Sequence, residues 1–595
     1  MIILGYNGFG KSAEIFGRLF RATGIDRHLL YGHDSAAALL IDGKLVAAVE
    51  EERLNREKKT SKFPVNAMRW CLESAGITFD DVDTFAFSWQ FSQDVLNKMI
   101  AEITEDSTAT VEAKFARLQR LAETHTALFS EAATQADFLE YTGHRLSPEK
   151  LVRVPHHIAH LMTGYHLSGG GDAAFLVSDG RAEWLSSIMG EVRDGETKIF
   201  DDVTIDSRHS LAMLFSVVTR YLGFVPNNDE YKVMGLAGYG PPPEPNPFLT
   251  DVVEVCPDGT YRIPYPANAV PAYYELFDRV FDGDPECREE FDYRVRVASA
   301  AQHMLETVTA GQIRTLEARS DLPRVIFEGG LALNCVNNSK LLERSRFAEL
   351  DVSFGASDVG VAIGAALFAG RQAGTPPRAG RSPYLGPSYG DQEIQTALQQ
   401  YADQVTWREL DPEDVPREAA TLMQERCVIG WFQGRLEYGP RALGNRSILA
   451  NPRFPDIKDI INERIKHREQ FRPFAPVVLE HLAPDVFELG KKTSSPYMTF
   501  VVPVRPEYQE KIQGACHVDG TSRIQTVTED SNPLLAELLR QFTELTGIPC
   551  LINTSFNVAG EPIVCSPADA LACFLKTEMD HLFLGNFLVS RTSSE

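Results

Sequence analysis

The 595-residue chain has few cysteines, no long apolar run and fewer basic than acidic residues. Its nine cysteines include no C-x-x-C pair, so the sequence suggests neither a zinc ribbon nor a disulfide framework. Apolar runs such as Leu582-Phe583-Leu584 are far shorter than a membrane-spanning helix, and Met1-Ile2-Ile3-Leu4 lacks the basic flank of a signal peptide. These absences predict a cytoplasmic protein without a membrane partner.

The charge and size of the chain limit which class of protein it can be. The sequence has 58 Lys and Arg residues against 82 Asp and Glu residues, a net charge of −24. That balance argues against a general nucleic-acid binder, although a local basic site is compatible with it. With 44% hydrophobic residues, a chain of this length exceeds one core and predicts an enzyme of at least two domains.

A pattern of strand, glycine-bearing loop and hairpin occurs twice in the first half of the chain. In the first copy a strand at 1–6 precedes a hairpin at 36–50, which turns at Asp42-Gly43. In the second copy a strand at 174–177 leads through Ser178-Asp179-Gly180 into a strand at 185–192. The repetition predicts a duplicated α/β domain.

The rest of the chain supplies helices and one clear boundary. Residues 91–141 are rich in Ala, Glu, Leu and Gln at helical spacing and are predicted to be mostly helical. Gly and Pro interrupt the pattern at 370–390, which predicts a domain junction and hence domains of 1–375 and 376–595. Helices at 392–401 and 414–425, followed by a strand at 428–432, make the second domain α/β as well.

Two histidines and an aspartate form a candidate metal site. His156 and His160 are four residues apart, so on a helix both imidazoles project from one face. Two histidines at a helix start can also be merely solvated or capping residues. Asp358 lies in a turn of small residues before an apolar helix, where it suits either a metal or an N-cap.

A paired-glycine turn and several cationic segments are candidate sites for nucleotide or phosphate. Gly329, Gly330 and Asn334 follow a strand, where the backbone can approach a planar base or a phosphate, or simply pack tightly. In the second half, guanidinium and ammonium groups that could grip phosphates recur among glycines and apolar residues rather than along a charged helix face. A polar cluster near a strand end adds possible ligands, or forms an ordinary turn. These second-half candidates are Arg441, Arg446, Lys466, Arg472, Asn553, Ser555 and Asn557.

Taken in order, the motifs resemble O-carbamoyltransferases of the NodU, cephalosporin and nebramycin type. The resemblance runs from the first strand nearly to Gly585 and rests on seven segments: Gly32-His33-Asp34-Ser35-Ala36-Ala37, Val49-Glu50-Glu51-Glu52-Arg53, His156-His157-Ile158-Ala159-His160, Glu230-Tyr231-Lys232-Val233-Met234-Gly235-Leu236-Ala237, Gly329-Gly330-Leu331-Ala332-Leu333-Asn334, the run 439–447, and Asn553-Thr554-Ser555-Phe556-Asn557. Such agreement is not expected by chance.

The resemblance implies a fold and a reaction. The first domain is expected to have the actin, sugar-kinase and Hsp70 (ASKHA) fold, close to the enzyme that threonylcarbamoylates tRNA, and the second to be YrdC-like. The YrdC-like domain would form carbamoyl adenylate from carbamoyl phosphate and ATP. The first domain would transfer the carbamoyl group to a hydroxyl of a small natural product.

The resemblance also assigns cofactors and residues. His156, His160 and Asp358 would hold iron(II) or a similar divalent metal, with Mg²⁺ as a further candidate cofactor. Arg441, Lys466, Arg472 and Arg523 would grip the phosphates. Independently of the resemblance, His33 is the candidate for orienting or deprotonating the acceptor hydroxyl, because a neutral imidazole titrates near the working pH and its loop faces the proposed site; Asp34, Asp229 and Lys232 are expected to assist. Neither nucleic acid nor membrane is an expected partner, and the protein is expected to be a monomer or homodimer.

Two features depart from the family pattern. The insert Phe9 to Tyr31 separates the first strand from His33 and is a candidate wall of the acceptor pocket. Ala559 stands where many relatives have arginine, so one phosphate contact is absent or supplied elsewhere.

Three other functions share parts of the pattern. A tRNA threonylcarbamoyl transferase would share the metal and nucleotide motifs but should need a basic surface. A kinase of the ASKHA fold would leave the second domain unused, and an ATP-dependent chaperone or sensor would leave the histidine pair unexplained. The acceptor itself is not specified by these motifs.

Overall fold

The computed structural model describes residues 1–20, 30–107, 109–264, 270–378 and 380–592. Three main sheets organise these residues, two in the first part of the chain and one in the second. In the described part of the chain, no helix is both long and apolar enough to cross a membrane.

The first sheet has the strand order β3-β2-β1-β4-β5. Its strands are β1 (Ile2–Asn7), β2 (Ala36–Ile41), β3 (Lys44–Glu50), β4 (Thr84–Phe87) and β5 (Leu151–Arg153). β1, β2 and β3 pair antiparallel, whereas β4 and β5 extend the sheet parallel to β1. The β2–β3 hairpin turns at Asp42 and Gly43, whose φ angles of 48° and 77° suit the twist of the two strands.

The second sheet repeats this order as β8-β7-β6-β12-β13, with the same antiparallel and parallel pairings. The strands of this region are β6 (Ala173–Ser178), β7 (Leu185–Arg193), β8 (Glu196–Ile199), β9 (Ile205–Asp206), the separate ribbon β10 (Glu254–Val255) and β11 (Tyr261–Arg262), then β12 (Arg324–Glu328) and β13 (Glu349–Asp351). The predicted duplication is therefore confirmed at the level of sheet topology.

Thirteen helices within the described residues accompany these two sheets. They are α1 (Ser12–Phe20), α2 (Glu51–Asn55), α3 (Val65–Ser74), α4 (Gln93–Glu105), α5 (Val111–Thr124), α6 (Glu131–Thr142), α7 (His156–Leu167), α8 (Leu211–Tyr221), α9 (Glu230–Ala237), α10 (Val270–Val280), α11 (Phe291–Arg319), α12 (Cys335–Arg344) and α13 (Val361–Gln372). The helical prediction for 91–141 is confirmed by α4, α5 and α6. Each of these begins after a Ser or Thr whose side chain accepts a backbone N–H of the first turn.

Helices α7 and α13 lie between the two sheets and pack against each other. α13 contacts β1, β2 and β4, and α7 contacts β6, β7 and β12. Gly364 permits this close approach, because a Cβ there would collide with the carbonyl oxygen of Ala159 on α7. The start of α7, with its two histidines, is thereby held beside the turn that precedes α13.

The third sheet has eight strands in the order β14-β23-β22-β15-β16-β21-β17-β20. The strands of this region are β14 (Val405–Glu409), β15 (Ile429–Phe432), β16 (Arg446–Ala450), β17 (Ala475–Leu479), the ribbon strands β18 (Val501–Pro503) and β19 (Thr521–Arg523), then β20 (Gln525–Val527), β21 (Cys550–Ser555), β22 (His581–Leu584) and β23 (Phe587–Arg591). Its helices are α14 (Asp391–Gln400), α15 (Val415–Gln424), α16 (Ile457–Ile460), α17 (Ala483–Val486), α18 (Pro506–Gln509), α19 (Pro533–Thr546) and α20 (Pro567–Lys576). The mixed helices and strands confirm the α/β prediction.

Buried polar contacts join the third sheet's region to the first. The buried Arg53 donates to the carbonyl oxygen of Gly439 at 2.8 Å, and the N–H of Gly439 donates to Glu50 at 2.9 Å. Arg56 donates to the carbonyl oxygens of Pro562 and Ile563 at 2.9 and 2.6 Å. These contacts surround the space in which the predicted site residues lie.

Candidate functional site

Two histidines and two aspartates converge between the first two sheets. His156 and His160 lie one turn apart on α7, Asp179 follows β6, and Asp358 lies in the turn before α13. One donor atom from each lies within 4.8 Å of the others, and all four residues are buried. Nε2 of His156 and Nε2 of His160 are each 3.5 Å from Oδ1 of Asp358. The structure thus brings together the three residues predicted as metal ligands and adds Asp179.

The donor set of this group fits a divalent metal. His156 contacts the carbonyl oxygen of Ser88 through Nδ1 at 3.1 Å, which directs Nε2 toward the aspartates. Nε2 of His156 and both ring nitrogens of His160 are buried without a hydrogen-bond partner. Orphaned imidazole nitrogens beside two carboxylates provide the mixed nitrogen and oxygen ligands that iron(II) and similar metals accept.

The nearby carboxylates also favour a positive charge at this group of residues. Burial by itself would lower the pKa of His156, but Asp358, followed by Asp179 and Glu183, outweighs it and raises that pKa to about 9. A bound metal ion would take the place of the proton that the carboxylates attract. The loop containing Asp179 was predicted from the sequence to be part of a repeat, but Asp179 itself was assigned no role. Its position at the end of β6, in the repeated topology, was the available signal.

His33 and Asp34 lie beside the four-residue group. Nδ1 of His33 is 3.0 Å from Oδ2 of Asp34, and the same oxygen accepts from Nζ of Lys59 at 2.7 Å. Burial by itself would raise the pKa of Asp34, but Lys59 and His33 outweigh it and lower the pKa to about 2. The ionised carboxylate therefore holds the Nδ1 proton, and Nε2 of His33 lies 3.7 Å from Oδ2 of Asp358.

These residues line a cavity of about 220 Å³, named here the N-terminal cavity. The paired-glycine turn lies on its wall: Gly330 and Asn334 line the cavity, and the N–H of Gly330 donates to Asp179 at 2.7 Å. Gly329 has a φ of 91°, and a Cβ there would collide with the carbonyl oxygen of Ser178. The turn therefore requires glycine and couples the predicted nucleotide segment to Asp179.

Asp229 and Lys232 lie outside this cavity. Nζ of Lys232 is 2.9 Å from Asp229 and 2.8 Å from Glu469, which belongs to the second half of the chain. Asp229 also accepts the backbone N–H of Val225 at 3.2 Å. The pair therefore connects the start of α9 to Glu469. Neither side chain lies beside His33.

A second cavity, of about 320 Å³, lies among residues of both halves of the chain and is named here the cationic cavity. Seven of the residues predicted to bind nucleotide or carbamoyl phosphate line it: Arg441, Lys466, Arg472, Arg523, Asn553, Ser555 and Asn557. Arg468, Lys58 and Lys59, which were not among the individually predicted binding residues, line it too.

Burial and mutual repulsion characterise these cations. Burial and then the neighbouring Arg523 lower the pKa of Arg441 to about 9. Burial, followed by repulsion from Arg472, lowers the pKa of Arg468 well below its usual range. Cations crowded in this way create a site that favours a polyanion, although Lys59 is paired with Asp34 at 2.7 Å and Arg472 with Glu469 at 3.5 Å.

Lys466 is held by the predicted polar cluster. Its ammonium donates to Oδ1 of Asn557 at 2.8 Å and to Oγ of Ser555 at 3.2 Å. Burial and repulsion from Arg468 lower its pKa well below the usual value. β21 runs through Asn553 and Ser555, so part of the predicted polar cluster lies within the strand itself. Pairing of these polar residues with β16 extends the strand.

Arg446 is placed differently from the other predicted phosphate ligands. It begins β16, is fully buried, and donates to the carbonyl oxygens of Gln433 and Asn445 at 2.5 and 2.9 Å. Its guanidinium carbon lies 3.6 Å from the centroid of the Phe432 ring. Because these contacts direct the side chain into the core, Arg446 does not reach the cationic cavity, and the placement corrects its grouping with Arg441.

The two cavities share a wall. The residues common to both linings are Asp34, Lys58, Lys59, Tyr231, Met234, Pro440 and Arg441. Arg441 thus adjoins both the cation cluster and the cavity with His33. An intermediate formed in one cavity would need to cross only this wall to enter the other.

Comparisons with known proteins cover nearly the whole chain. Residues 21–367 and 420–591 match the models described as Carbamoyltransferase N-terminus and Carbamoyltransferase C-terminus. An uncharacterized protein of Synechocystis, sll1178, is 37% identical over 95% of this chain and 96% of its own length. Nodulation protein NolNO of Sinorhizobium fredii is 36% identical over 94% of this chain and 79% of its own.

A solved structure gives a much weaker match. Component A of the (R)-2-hydroxyglutaryl-CoA dehydratase of Acidaminococcus fermentans is 13% identical, with a TM-score of 0.31, over 63% of this chain and 99% of that one. A similarity of this size carries no argument about fold or function. This chain belongs to the carbamoyltransferase family, because both family models match it and the two relatives align over nearly its whole length.

Proposed function

We propose that the protein is an ATP-dependent O-carbamoyltransferase that carries a carbamoyl group from carbamoyl phosphate to a hydroxyl of a small natural product through carbamoyl adenylate. The observation that carries this proposal is the wall shared by the cationic cavity and the N-terminal cavity. Activation of a carbamoyl group and its transfer are separate reactions, and this arrangement provides two adjoining sites.

The cationic cavity is assigned the activation step. Water hydrolyses carbamoyl phosphate to carbamate and inorganic phosphate, and a carbamate oxygen then attacks the α-phosphorus of ATP and displaces pyrophosphate. Arg441, Lys466, Arg472 and Arg523 suit the phosphate oxygens because guanidinium and ammonium groups that repel one another in a cavity are stabilised by a bound anion. Arg468 lines the same cavity as Ala559 and is the proposed source of the contact that arginine supplies in relatives at that position. Mg²⁺ is expected to accompany ATP.

The N-terminal cavity is assigned the transfer step. His156, His160, Asp179 and Asp358 would hold iron(II) or a similar divalent metal, which would supply a positive charge beside the phosphate of the adenylate. His33 takes the proton of the acceptor hydroxyl at Nε2 while Asp34 holds its Nδ1 proton. The hydroxyl oxygen attacks the carbamoyl carbon, and AMP leaves.

The fold assignments belong to the same proposal. The matching strand order of the first two sheets and the helix pair α7 and α13 between them support an ASKHA domain at residues 1–375. Residues 376–595 are assigned as the YrdC-like, adenylate-forming domain. Asp229 and Lys232 are assigned to holding α9 against Glu469 across the two domains.

The acceptor is proposed to be a small hydroxyl compound, and the protein a cytoplasmic monomer or homodimer that binds neither nucleic acid nor membrane. Phe16 and Tyr31 of the predicted insert lie within the described residues, and Tyr31 lines the N-terminal cavity. Residues 21–29 of the insert lie outside the described residues. Tyr31 and Leu30 are therefore the part of the insert proposed to touch the acceptor.

Consumption of ATP with carbamoyl phosphate tests the proposal directly. AMP and pyrophosphate should form only when carbamoyl phosphate is present, and an acceptor screen by mass spectrometry should then find a product heavier by one carbamoyl group. ADP as the product, or ATP hydrolysis without dependence on carbamoyl phosphate, would instead favour a kinase or ATPase. Labelling of tRNA would favour the threonylcarbamoyl-type reaction.

A further inference from the structure

The side chain of Asn7 lies between the loop of His33 and the residues that contact His156. Asn7 is the last residue of β1 and is fully buried. Its Nδ2 donates to the carbonyl oxygen of His33 at 3.1 Å and lies 3.5 Å from that of Asp34. Its Oδ1 accepts from Oγ of Ser88 at 3.2 Å and from Nε1 of Trp89 at 3.0 Å. One amide thus contacts the loop of His33 and the end of β4 together.

On one side, Asn7 fixes a loop that is conformationally demanding. Asp34 has a φ of 58°, in the left-handed region that is unfavourable for a residue with a side chain. The carbonyl groups of His33 and Asp34 belong to the two peptide planes that flank Asp34. By holding both planes, Asn7 keeps the Asp34 carboxylate under Nδ1 of His33, at 3.0 Å.

On the other side, Asn7 fixes the residues that orient His156. The Trp89 ring stacks on the His156 imidazole with centroids 4.0 Å apart and planes 26° apart. Ser88 contacts Nδ1 of His156 through its carbonyl oxygen at 3.1 Å. Ser88, Trp89 and His156 are all buried, so their arrangement is set by these contacts rather than by solvent. Nε2 of His156 is aimed at Asp358 and Asp179 as a result.

We propose that Asn7 is a positioning residue that couples the metal ligand His156 to the His33–Asp34 pair. A single buried amide then holds in position both a ligand of the metal centre and the base that deprotonates the acceptor. The inference rests on the proposed function. It extends that function because metal affinity and the rate of transfer would both depend on a residue that contacts neither the metal nor the substrate. Groups that orient a ligand histidine typically alter metal affinity by about 10–100-fold when replaced.

The substitution Asn7→Asp tests this with little change in volume. A carboxylate oxygen would then face the carbonyl oxygens of His33 and Asp34, so the donated hydrogen bonds are lost. We expect Co²⁺ affinity, measured by calorimetry and by visible absorption of the bound ion, to fall about 10–100-fold with altered absorption bands. Carbamoyl-phosphate-dependent release of pyrophosphate, which belongs to the cationic cavity, should stay at the wild-type rate. Raised Co²⁺ should restore part of the transfer activity.

Two further variants keep the test decisive. Ser88→Ala removes one hydrogen bond to Oδ1 of Asn7 and leaves the carbonyl contact to His156, so it should fold and show a smaller loss in the same direction. Asn246→Asp is the matched control: this buried amide donates to the carbonyl oxygen of Ala300 at 2.9 Å and lines neither cavity. Its Co²⁺ affinity should match the wild type.

The outcomes separate this inference from the proposed function. Wild-type Co²⁺ affinity and absorption in a folded Asn7→Asp protein would overturn the role of Asn7 and leave the metal centre standing. If Asn7→Asp does not fold, an unchanged Co²⁺ affinity and spectrum in Ser88→Ala would overturn it instead. Failure of the wild-type protein itself to bind Co²⁺ or iron(II) would contradict the metal centre, and this inference with it.

Discussion

Nζ of Lys59 lies 2.7 Å from Oδ2 of Asp34, and the same oxygen accepts a hydrogen bond from Nδ1 of His33. The ammonium keeps the carboxylate ionised, and the carboxylate keeps one tautomer of the imidazole. Nε2 of His33 is thereby left facing the N-terminal cavity.

The His33→Ala variant should lose transfer and keep activation. Transfer to the acceptor should fall about 10²–10⁴-fold because the hydroxyl loses its base, while pyrophosphate release in the cationic cavity continues. Asp34→Asn should give a smaller loss of transfer. Product formation and pyrophosphate release are to be measured in the same reaction, and unchanged transfer in His33→Ala would rule out its role as base.

Loss of a cation from the shared wall should weaken nucleotide binding. Arg441→Met removes a guanidinium that lines both cavities, and a charge-assisted hydrogen bond of about 1.5–3 kcal/mol corresponds to roughly 10–100-fold in the dissociation constant of ATP. Calorimetry with a non-hydrolysable ATP analogue measures the effect. Arg540→Met, on the exposed face of α19, is the control and should bind normally. Equal affinities of the two variants would contradict the assignment.

Affinity for ATP should fall as the pH rises toward the pKa of Arg441. Burial and Arg523 lower that pKa to about 9 in the free protein, and a bound polyphosphate favours the charged form. Binding above about pH 8 therefore takes up protons, so affinity falls with rising pH and by at most about tenfold per pH unit for each such group. Titrations in buffers of different ionisation enthalpy measure the proton uptake. A constant affinity through this range would contradict the prediction.

Asp179→Asn should weaken the metal centre although Asp179 was not among the predicted ligands. The substitution removes one of two carboxylates from a buried group of four donors, and we expect divalent-metal affinity to fall by more than about tenfold. Equilibrium dialysis followed by elemental analysis gives the affinity. Asp278→Asn, which lies in the Tyr221 and Arg288 network away from both cavities, should retain wild-type affinity.

Arg446→Met should reduce stability rather than ligand affinity. The guanidinium of Arg446 satisfies buried carbonyl oxygens of Gln433 and Asn445, and the substitution leaves these acceptors unpaired at a cost of about 3 kcal/mol. The midpoint of thermal unfolding should fall by several degrees, whereas ATP affinity of the folded fraction should stay at the wild-type value. A loss of affinity with unchanged stability would return Arg446 to the phosphate site.

The hydrophobic pattern and turn chemistry predicted much of the fold. Asp42-Gly43 fixes a two-residue hairpin, and the loop after each first strand repeats with its neighbouring elements, so the duplication was visible before any coordinates. The i, i+4 spacing of His156 and His160 placed both rings on one face of α7. These features depend on residues that are close together in the sequence, so spacing and turn propensity are enough to predict them.

Residues that act through contacts distant in the sequence were not predicted. Asp179 joins His156 and Asp358 only because the packing of α7 against α13 and β6 brings the start of α7, the end of β6 and the turn before α13 together. Arg446 and Arg441 are five residues apart in one glycine-rich run, and only the pairing of β16 with β15 turns one into the core and leaves the other at the cavities. Asn7 directly follows the predicted strand at 1–6 and was assigned no role from the sequence.

By itself, then, the sequence determined the α/β class, the repeat, the helical histidine pair and the supply of cations proposed to bind phosphate, because periodicity and spacing are properties of neighbouring residues. The tertiary structure decided the fourth donor, the core position of Arg446, the shared wall of the two cavities and the contacts of Asn7. Those depend on which strand ends and helix starts meet in space, and the side chains that meet there are separated by up to hundreds of residues along the chain.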